Sequence, residues 1–131
     1  LTTSLVEPAS RTAFGMADVK PQDMDFVQPY DCYTITVIIT LEDAGFCEKG
    51  EGGHFVEQHD LSYDGDFPCN THGGQLSFGQ PGLAGGMSHV IEGARQLMGR
   101  AEKRQVPDAR IGYVNGNGGI MAEQCSLILS T

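Results

Sequence analysis

The sequence predicts an α/β fold, because helical and strand patterns alternate along its 131 residues, punctuated by glycine-rich segments. The glycine-rich stretch 70–86 is followed by apolar residues at the spacing of one helix face, over 87–98. Near the end of the chain, two apolar segments flank the turn Asn115–Gly119, which is the pattern of a β-hairpin. A chain of this length forms one domain with a core of its own.

Composition and charge argue against several classes of function. The net charge of −9 disfavours a nucleic-acid partner. No stretch approaches the roughly 20 apolar residues of a membrane helix, and no secretory signal pattern is present, so we expect a cytoplasmic location. The four cysteines form no Cys-x-x-Cys pair and the four histidines lack ligand spacing, so we expect reduced thiols and no bound metal.

The first half of the chain is predicted to form a helix, a short strand and one segment of ambiguous structure. Pro8 suits a first helical turn, and small or apolar residues share one face as far as Ala17. Residues 25–27 indicate a strand that ends before a proline. Residues 34–41 are rich in β-branched side chains, which favours a strand. Their apolar spacing and the ending at Gly45 favour a helix instead.

The second half alternates loops with regular elements. Residues 46–69 are polar, rich in glycine and without sustained periodicity, which predicts a long surface loop. The helix over 87–98 ends at Gly99, beyond which lies a small cluster of basic residues, namely Arg100, Lys103 and Arg104. We interpret this cluster as a solvated helix end rather than a phosphate site, since cations favour the negative end of a helix.

The glycine-rich stretch 70–86 resembles the thiolase signature Asn-x-x-Gly-Gly followed by Ser-x-Gly-His-Pro-x-Gly. It is most similar to sterol-carrier-protein-type thiolases and lipid-transfer aldolases. A second match is Tyr30–Tyr33, which reads Tyr-Asp-Cys-Tyr where the sterol-carrier type has His-Asp-Cys-Phe. The resemblance runs from about Asp25 to the end of the chain. It implies the C-terminal part of a thiolase-type layered αβα fold, with a mixed sheet packed by helices, and it favours a helix over 33–43.

Two positions depart from the thiolase pattern. Gln80 stands where these enzymes carry a catalytic histidine, and Val114 stands where they carry a proton-transferring cysteine. A glutamine amide does not accept a proton near pH 7, and a valine is inert. Claisen condensation by the standard thiolase route is therefore not expected. The thiolase nucleophile itself belongs to the N-terminal half of such proteins, outside these residues.

The resemblance implies an acyl-CoA enzyme that acts on carbon–carbon bonds, and the substitutions favour retro-aldol cleavage of a β-hydroxyacyl-CoA. The alternative is a non-catalytic acyl-CoA or lipid carrier, or a scaffold subunit of a thiolase-like complex. The resemblance assigns catalysis to Tyr30, Asp31 and Gln80. It assigns substrate binding to Tyr33, His72, Gly73, Gly74, Gly79, Asn115 and Gly116. Tyr30 is expected to donate a hydrogen bond to an enolate oxygen, because a phenol ionises only near pH 10.

Cofactor and partner expectations also follow from the resemblance. No tightly bound cofactor is implied, since coenzyme A enters as the thioester substrate. The resembled proteins are dimers, and some pair with a small OB-fold protein. We therefore expect a homodimer or a thiolase-like complex, without a nucleic-acid or membrane partner.

Overall fold

A three-stranded mixed sheet lies between helices in the computed structural model, which describes residues 3–119 and 121–131. The helices are α1 Val6–Ala17, α2 Thr34–Asp43, α3 Gly52–Gln58, α4 Gly74–Phe78 and α5 Gly85–Leu97. The strands are β1 Phe26–Gln28, β2 Ile111–Gly118 and β3 Glu123–Ser130. Two short 3-10 helices occupy Pro21–Asp23 and Glu102–Arg104. The predicted α/β class is confirmed.

The sheet has the order β1-β2-β3. β1 runs parallel to β2, with Val27 opposite Tyr113, and β2 pairs with β3 as an antiparallel hairpin. Val27 also bridges to Cys69 on the other side of β1. The parallel strand β1 ends at Gln28, so Tyr30 and Asp31 lie just beyond the end of this strand, at one edge of the sheet.

Successive residues of β2 face opposite sides of the sheet, as the pleat requires. The Tyr113 ring stacks on Phe14 of α1, with ring centroids 5.5 Å apart. On the opposite face, Val114 lies against Gly93 of α5, where an added Cβ would come within 3.2 Å of its methyl group. The sheet is therefore sandwiched between α1 and α5, which gives three layers.

The apolar core occupies the α1 side of the sheet. It is formed by Val6, Phe14, Val27, Leu41, Ala44 and Tyr113. The segment 46–69, expected to be a surface loop, contains helix α3, and its Phe55 and Phe67 pack against this core. Those aromatic side chains carry no periodic pattern in sequence, and tertiary packing orders the segment around them.

Most predicted elements are confirmed with shifted ends. The helices over 8–17 and 33–43 correspond to α1 and α2, and the strand over 25–27 corresponds to β1. The hairpin is also confirmed, but Asn115–Gly118 extend β2 instead of forming the turn. Ile120, where the second strand was expected to begin, lies outside the described residues.

Helix α5 confirms the helix predicted over 87–98, yet its buried face is polar. Its buried side chains are His89, Glu92 and Gln96, which follow one another at helical spacing. Met87 and Ile91 of the same helix face outward, 57% and 47% exposed, as does Met98 just beyond its end, 65% exposed. Helix α5 thus packs on the sheet through Gly93, against Val114, Leu129 and Phe26, while its buried polar side chains bond to the segments around it.

We expect Gly112→Ala to lower the free energy of unfolding, because an added Cβ would lie 2.2 Å from the buried Phe26 ring. Overpacking of this kind costs about 1–3 kcal/mol. Gly15→Ala is the matched control, since nothing lies within 4 Å of its added methyl group inside α1. That change should stabilise the helix by about 0.5–1 kcal/mol. Urea unfolding measures both, and equal effects at the two positions would contradict the packing described for Phe26.

Candidate functional site

The Asp31 carboxylate anchors the site at the edge of the sheet. Asp31 is buried, and its two oxygens accept hydrogen bonds from the backbone N–H groups of Gln75 (2.8 Å) and Leu76 (3.1 Å) in the first turn of α4. A carboxylate is favoured at this position, because the first N–H groups of a helix lack partners within it. Asp31 thereby fixes α4 and the chain that follows it.

His89, in the second turn of α5, completes the contacts of Asp31. Its Nε2 atom lies 3.2 Å from Asp31 Oδ1 and 3.2 Å from the side-chain nitrogen of Gln75, and the imidazole is fully buried. Burial alone raises the pKa of Asp31, but the hydrogen bonds from His89 and the α4 backbone outweigh it and lower the pKa. The carboxylate is therefore ionised at neutral pH and joins β1, α4 and α5.

Tyr30 lies beside this anchor and is held by Gln80. The Gln80 side-chain N–H donates to the Tyr30 hydroxyl at 2.9 Å, and the Tyr30 ring lies 5.8 Å from the His89 ring. Gly85 permits this approach, because a Cβ there would lie 2.3 Å from Gln80 Oε1 and 3.0 Å from the Tyr30 hydroxyl. Gln80 is the donor in this contact, so the phenol keeps its own hydrogen for a second acceptor.

The glycines predicted to bind substrate shape the backbone around α4. Gly73 and Gly74 have φ of +94° and +65°, and Gly79, which ends α4, has φ of +116°. A Cβ at Gly74 would lie 2.1 Å from Asp31 Oδ2, so this position combines an unusual backbone with a close approach. Gly116 of β2 lies beside Gly86, at the first turn of α5 near the Tyr30 ring.

Two other predicted site residues lie away from the Tyr30 hydroxyl. The Asn115 side chain donates to the backbone oxygen of Cys125 on β3 at 3.4 Å, and it is buried. His72 packs against Phe78 and His89, with ring centroids 5.6 and 5.2 Å away. Burial lowers the pKa of His72, so its imidazole is neutral at pH 7. Both of its ring nitrogens are buried without a hydrogen-bond partner among the described residues.

A second polar cluster ties α5 to the segments around it. The Arg104 guanidinium makes two hydrogen bonds to the buried Glu92 carboxylate, at 2.9 and 2.8 Å. The Thr71 hydroxyl donates to Glu92 at 2.8 Å, and the Gln96 amide donates to Glu92, to Thr71 and to the backbone oxygen of Arg104. The basic residues after α5 were expected to be solvated, and for Arg104 this was wrong. Its charge compensates a buried carboxylate.

Two cavities that share Cys32 and Tyr33 in their walls border the site. One, of about 240 Å³, is lined by Asp31, Cys32, Tyr33, Gln75, Leu76 and Gln80. The other, of about 480 Å³, lies between the start of α2 and the tip of the β2–β3 hairpin, and it includes Tyr30, Cys32 and Tyr33 in its wall. Tyr33, which is 67% exposed, therefore borders both cavities, and Tyr30 borders the larger one.

Sequence reasoning missed His89, Gln75 and the Glu92 cluster. His89, Glu92 and Gln96 recur along α5 at the spacing of one helix face, which was the available signal. A polar stripe of this kind usually faces solvent, so its burial could not be read from the periodicity. Within residues 3–119 and 121–131, no group of three histidine, cysteine or acidic side chains could hold a metal ion. No helix of these residues is long and apolar enough to cross a membrane.

Comparisons with known proteins define the class. Residues 1–131 match the model of the family described as thiolase C-terminal domain-like. The chain is 45% identical over 111 residues to an acetyl-CoA acetyltransferase of Methanothermobacter thermautotrophicus, covering 85% of this chain. It is 36% identical over 110 residues, 84% of this chain, to sterol carrier protein 2 of Bos taurus. Among solved structures it resembles an Ltp2-ChsH2(DUF35) aldolase, with TM-score 0.84 and 30% identity over 95% of this chain.

The chain belongs to the thiolase C-terminal domain-like family, and the resemblance seen in the glycine-rich stretch is confirmed. It is therefore related to acetyl-CoA acetyltransferases and to sterol carrier protein 2. The chain spans less than a third of these proteins, namely 29% of the acetyltransferase, 20% of sterol carrier protein 2 and 31% of the aldolase chain.

We expect Glu92→Gln to destabilise the fold by about 3 kcal/mol at pH 7, near the lower end of the cost of breaking a buried ion pair, because the Arg104 side chain is 30% exposed. Burial raises the pKa of Glu92, but the hydrogen bonds from Arg104 and Thr71 lower it below its ordinary value of 4.5. Its stabilisation is thus complete above about pH 4.5 and is lost as the pH falls through the lower folded-state pKa.

The measurement is urea unfolding between pH 7 and pH 3, with Glu57→Gln on the exposed surface of α3 as the matched control. In the control, the free energy of unfolding should fall with decreasing pH as it does in the parent protein. In Glu92→Gln this fall should be smaller, because the contribution of the Glu92 carboxylate is missing. An unchanged pH profile in Glu92→Gln would show that the Arg104 pair does not stabilise the fold.

Proposed function

We propose that this chain contributes the C-terminal part of the site of an acyl-CoA enzyme that cleaves carbon–carbon bonds by a retro-aldol reaction. The observation that carries the proposal is the hydrogen bond from Gln80 to the Tyr30 hydroxyl. The family resemblance assigns Tyr30 to the polar position of thiolases and Gln80 to the position of their imidazole, so this contact supports a phenol that is oriented by a neutral amide. Buried Val114 at the second acid/base position supports the same choice, because it cannot move a proton.

The reaction needs one proton acceptor and a set of hydrogen-bond donors. A base takes the proton of the β-hydroxyl group, the bond between Cα and Cβ breaks, and Cβ becomes the carbonyl carbon of a ketone or aldehyde. The bonding electrons pass to Cα and the thioester oxygen as an enolate. Protonation at Cα then releases the shortened acyl-CoA. No oxidant or reductant is consumed.

Tyr30 suits the stabilisation of the enolate oxygen. Its phenolic hydrogen is available because Gln80 supplies the other hydrogen to the same oxygen. The first turn of α5 begins at Gly85, beside the Tyr30 hydroxyl, and the positive end of a helix favours a developing negative charge. Donors fixed before the reaction are effective because they need no reorganisation when the charge forms.

Asp31 and Gln80 act as positioning residues in this proposal. Both oxygens of Asp31 are engaged by α4, and one also contacts His89. The amide of Gln80 does not accept a proton near pH 7. We therefore propose that the base for the β-hydroxyl group is a residue other than Asp31 or Gln80. Coenzyme A takes part as the thioester of the substrate.

A non-catalytic acyl-CoA or lipid carrier is the second candidate. The observation that favours it is that the hydrogen-bond partner of the Tyr30 hydroxyl is the neutral amide of Gln80, whereas the Asp31 carboxylate is engaged by α4 and His89. Sterol carrier protein 2 and a lipid-transfer-like protein of Caenorhabditis elegans are relatives whose names describe carriers. A carrier would keep ligand affinity when the Tyr30 hydroxyl group is removed.

We expect Tyr30→Phe, in the natural protein with any chain that copurifies, to lower turnover of a β-hydroxyacyl-CoA about 100- to 1000-fold, as the loss of one enolate donor does. Release of ketone or aldehyde is the readout. Tyr63→Phe is the matched control, because it removes the same hydroxyl group from the loop after α3 and should leave turnover unchanged. Turnover of Tyr30→Phe within about threefold of the parent would refute the donor role and favour the carrier.

The exposed apolar surface of α4 and α5 supports a dimer or a thiolase-like complex. This α4–α5 surface comprises Leu76, Phe78, Leu83, Met87, Ile91 and Met98. Several large apolar side chains exposed on neighbouring elements are typical of contact with another protein surface. The aldolase neighbour has a name that joins two components, which is consistent with such an assembly. We propose that a second copy or a thiolase-like partner covers the α4–α5 surface.

We expect Met87→Lys to weaken association at least tenfold, which corresponds to about 1.4 kcal/mol, because it places a charge in the α4–α5 surface. Met16→Lys is the matched control, since Met16 is 85% exposed on α1, away from this surface. Sedimentation equilibrium over a concentration series measures both variants and the parent. A parent protein that remains monomeric at high concentration would contradict the proposed assembly.

A further inference from the structure

The larger of the two cavities is an apolar cleft that shares Tyr30 with the candidate site. It has a volume of about 480 Å³, which falls in the usual range of about 300–1000 Å³ for small-molecule pockets. One wall is the first half of α2, from Tyr33 to Ile39, and the other is the hairpin tip with Asn117, Gly118 and Met121. Tyr30 closes the end nearest the candidate site.

The polar groups in the walls of this cleft are already bonded to one another. The Thr36 hydroxyl bonds to the backbone oxygens of Tyr30 and Tyr33, at 3.2 and 2.6 Å. The Asn117 side chain accepts from the Met121 N–H at 2.8 Å and donates to the Cys32 sulfur at 3.6 Å. The cleft surface that remains available to a ligand is therefore mainly hydrocarbon. It is contributed by Ile35, Ile39, Met121 and the tyrosine rings.

This lining discriminates between the two ends of a β-hydroxyacyl-CoA. The pantetheine arm carries amide groups, which lose free energy when they are buried without hydrogen-bond partners. The carbon chain attached to Cβ has no such groups and gains by leaving water. Because Tyr30 is shared between the cleft and the candidate site, a chain lying in the cleft begins next to the phenol that we assign to the reaction.

We propose that the cleft between α2 and the hairpin tip binds the apolar carbon chain on Cβ, the part that leaves as the ketone or aldehyde. Ile39 then determines how large a chain is accepted. It is half-buried and lies furthest along α2 from Tyr30 among the residues that line the cleft. The identity of this ligand rests on the proposed function, whereas the apolar character of the cleft rests on its lining alone.

Cys32 provides a readout that does not depend on activity. Its half-buried thiol lies in the cleft wall, and Cys125, an exposed thiol on β3, lies outside this cleft. We would follow alkylation of both thiols by iodoacetamide, peptide by peptide, in the natural protein with any chain that copurifies. The probes are 2-undecanone as a long ketone and acetone as the short control.

We expect saturating 2-undecanone to slow alkylation of Cys32 at least tenfold, while acetone does not, and alkylation of Cys125 to stay unchanged. Ile39→Trp fills the cleft and should raise the concentration needed for half-protection at least tenfold, in the range by which small changes in an apolar pocket alter recognition. Ile35→Trp, at a more exposed position on the same wall, should act in the same direction if Ile39→Trp fails to fold. Ile38→Ala, on the side of α2 that faces α3, is the control that leaves protection intact.

Absence of protection, equal protection of Cys125, or protection that persists in both tryptophan variants would overturn this inference. Failure of the proposed function looks different. If 2-undecanone protects Cys32 but no β-hydroxyacyl-CoA is cleaved, the cleft binds apolar chains and the proposed retro-aldol activity is wrong. If a β-hydroxyacyl-CoA is cleaved but Cys32 is not protected, the retro-aldol activity stands and the proposed binding of the carbon chain in the cleft is wrong.

Discussion

The hydrogen-bonded carboxylate of Asp31 is the contact on which the arrangement of the site depends. It lies at the end of β1, caps the first turn of α4 and meets His89 of α5. Because these elements are far apart in sequence, no local preference would bring them to one point. Gln80 reaches the Tyr30 hydroxyl only because α4 is fixed in this way and because Gly85 leaves room for the approach.

Buried charged groups occur on the α5 side of the sheet, in addition to the apolar contacts at Gly93. On the α1 side, aromatic and aliphatic side chains exclude water. On the α5 side, the Glu92 and Asp31 carboxylates are buried, and each is satisfied by several donors. Buried charges are costly unless they are paired and fully bonded, so loss of one partner destabilises the fold and the donors are satisfied in one geometry. This specificity suits helix α5, whose first turn must meet the site in one orientation.

The burial of the polar face of α5 also explains why apolar side chains of this helix are exposed. The helix has one apolar and one polar face, and the Glu92 cluster turns the polar face inward. Met87, Ile91 and Met98 are left on the outside as a consequence. The chain matches less than a third of the length of its relatives. The outward apolar face is thus consistent with a surface that serves a larger thiolase-like assembly.

The sequence by itself determined the family, the α/β class, the helices α1, α2 and α5, the three strands, and the place of Tyr30, Asp31 and Gln80 in the family's motifs. Glycine-rich strings and the Tyr-Asp-Cys-Tyr motif carry this information locally, because backbone freedom and side-chain chemistry belong to single residues. Only the tertiary structure decided which face of α5 is buried, that residues 52–58 form a helix, and that Arg104 pairs with Glu92. Periodicity shows that a helix has a polar and an apolar face, but the partner that covers each face is set by contacts distant in sequence.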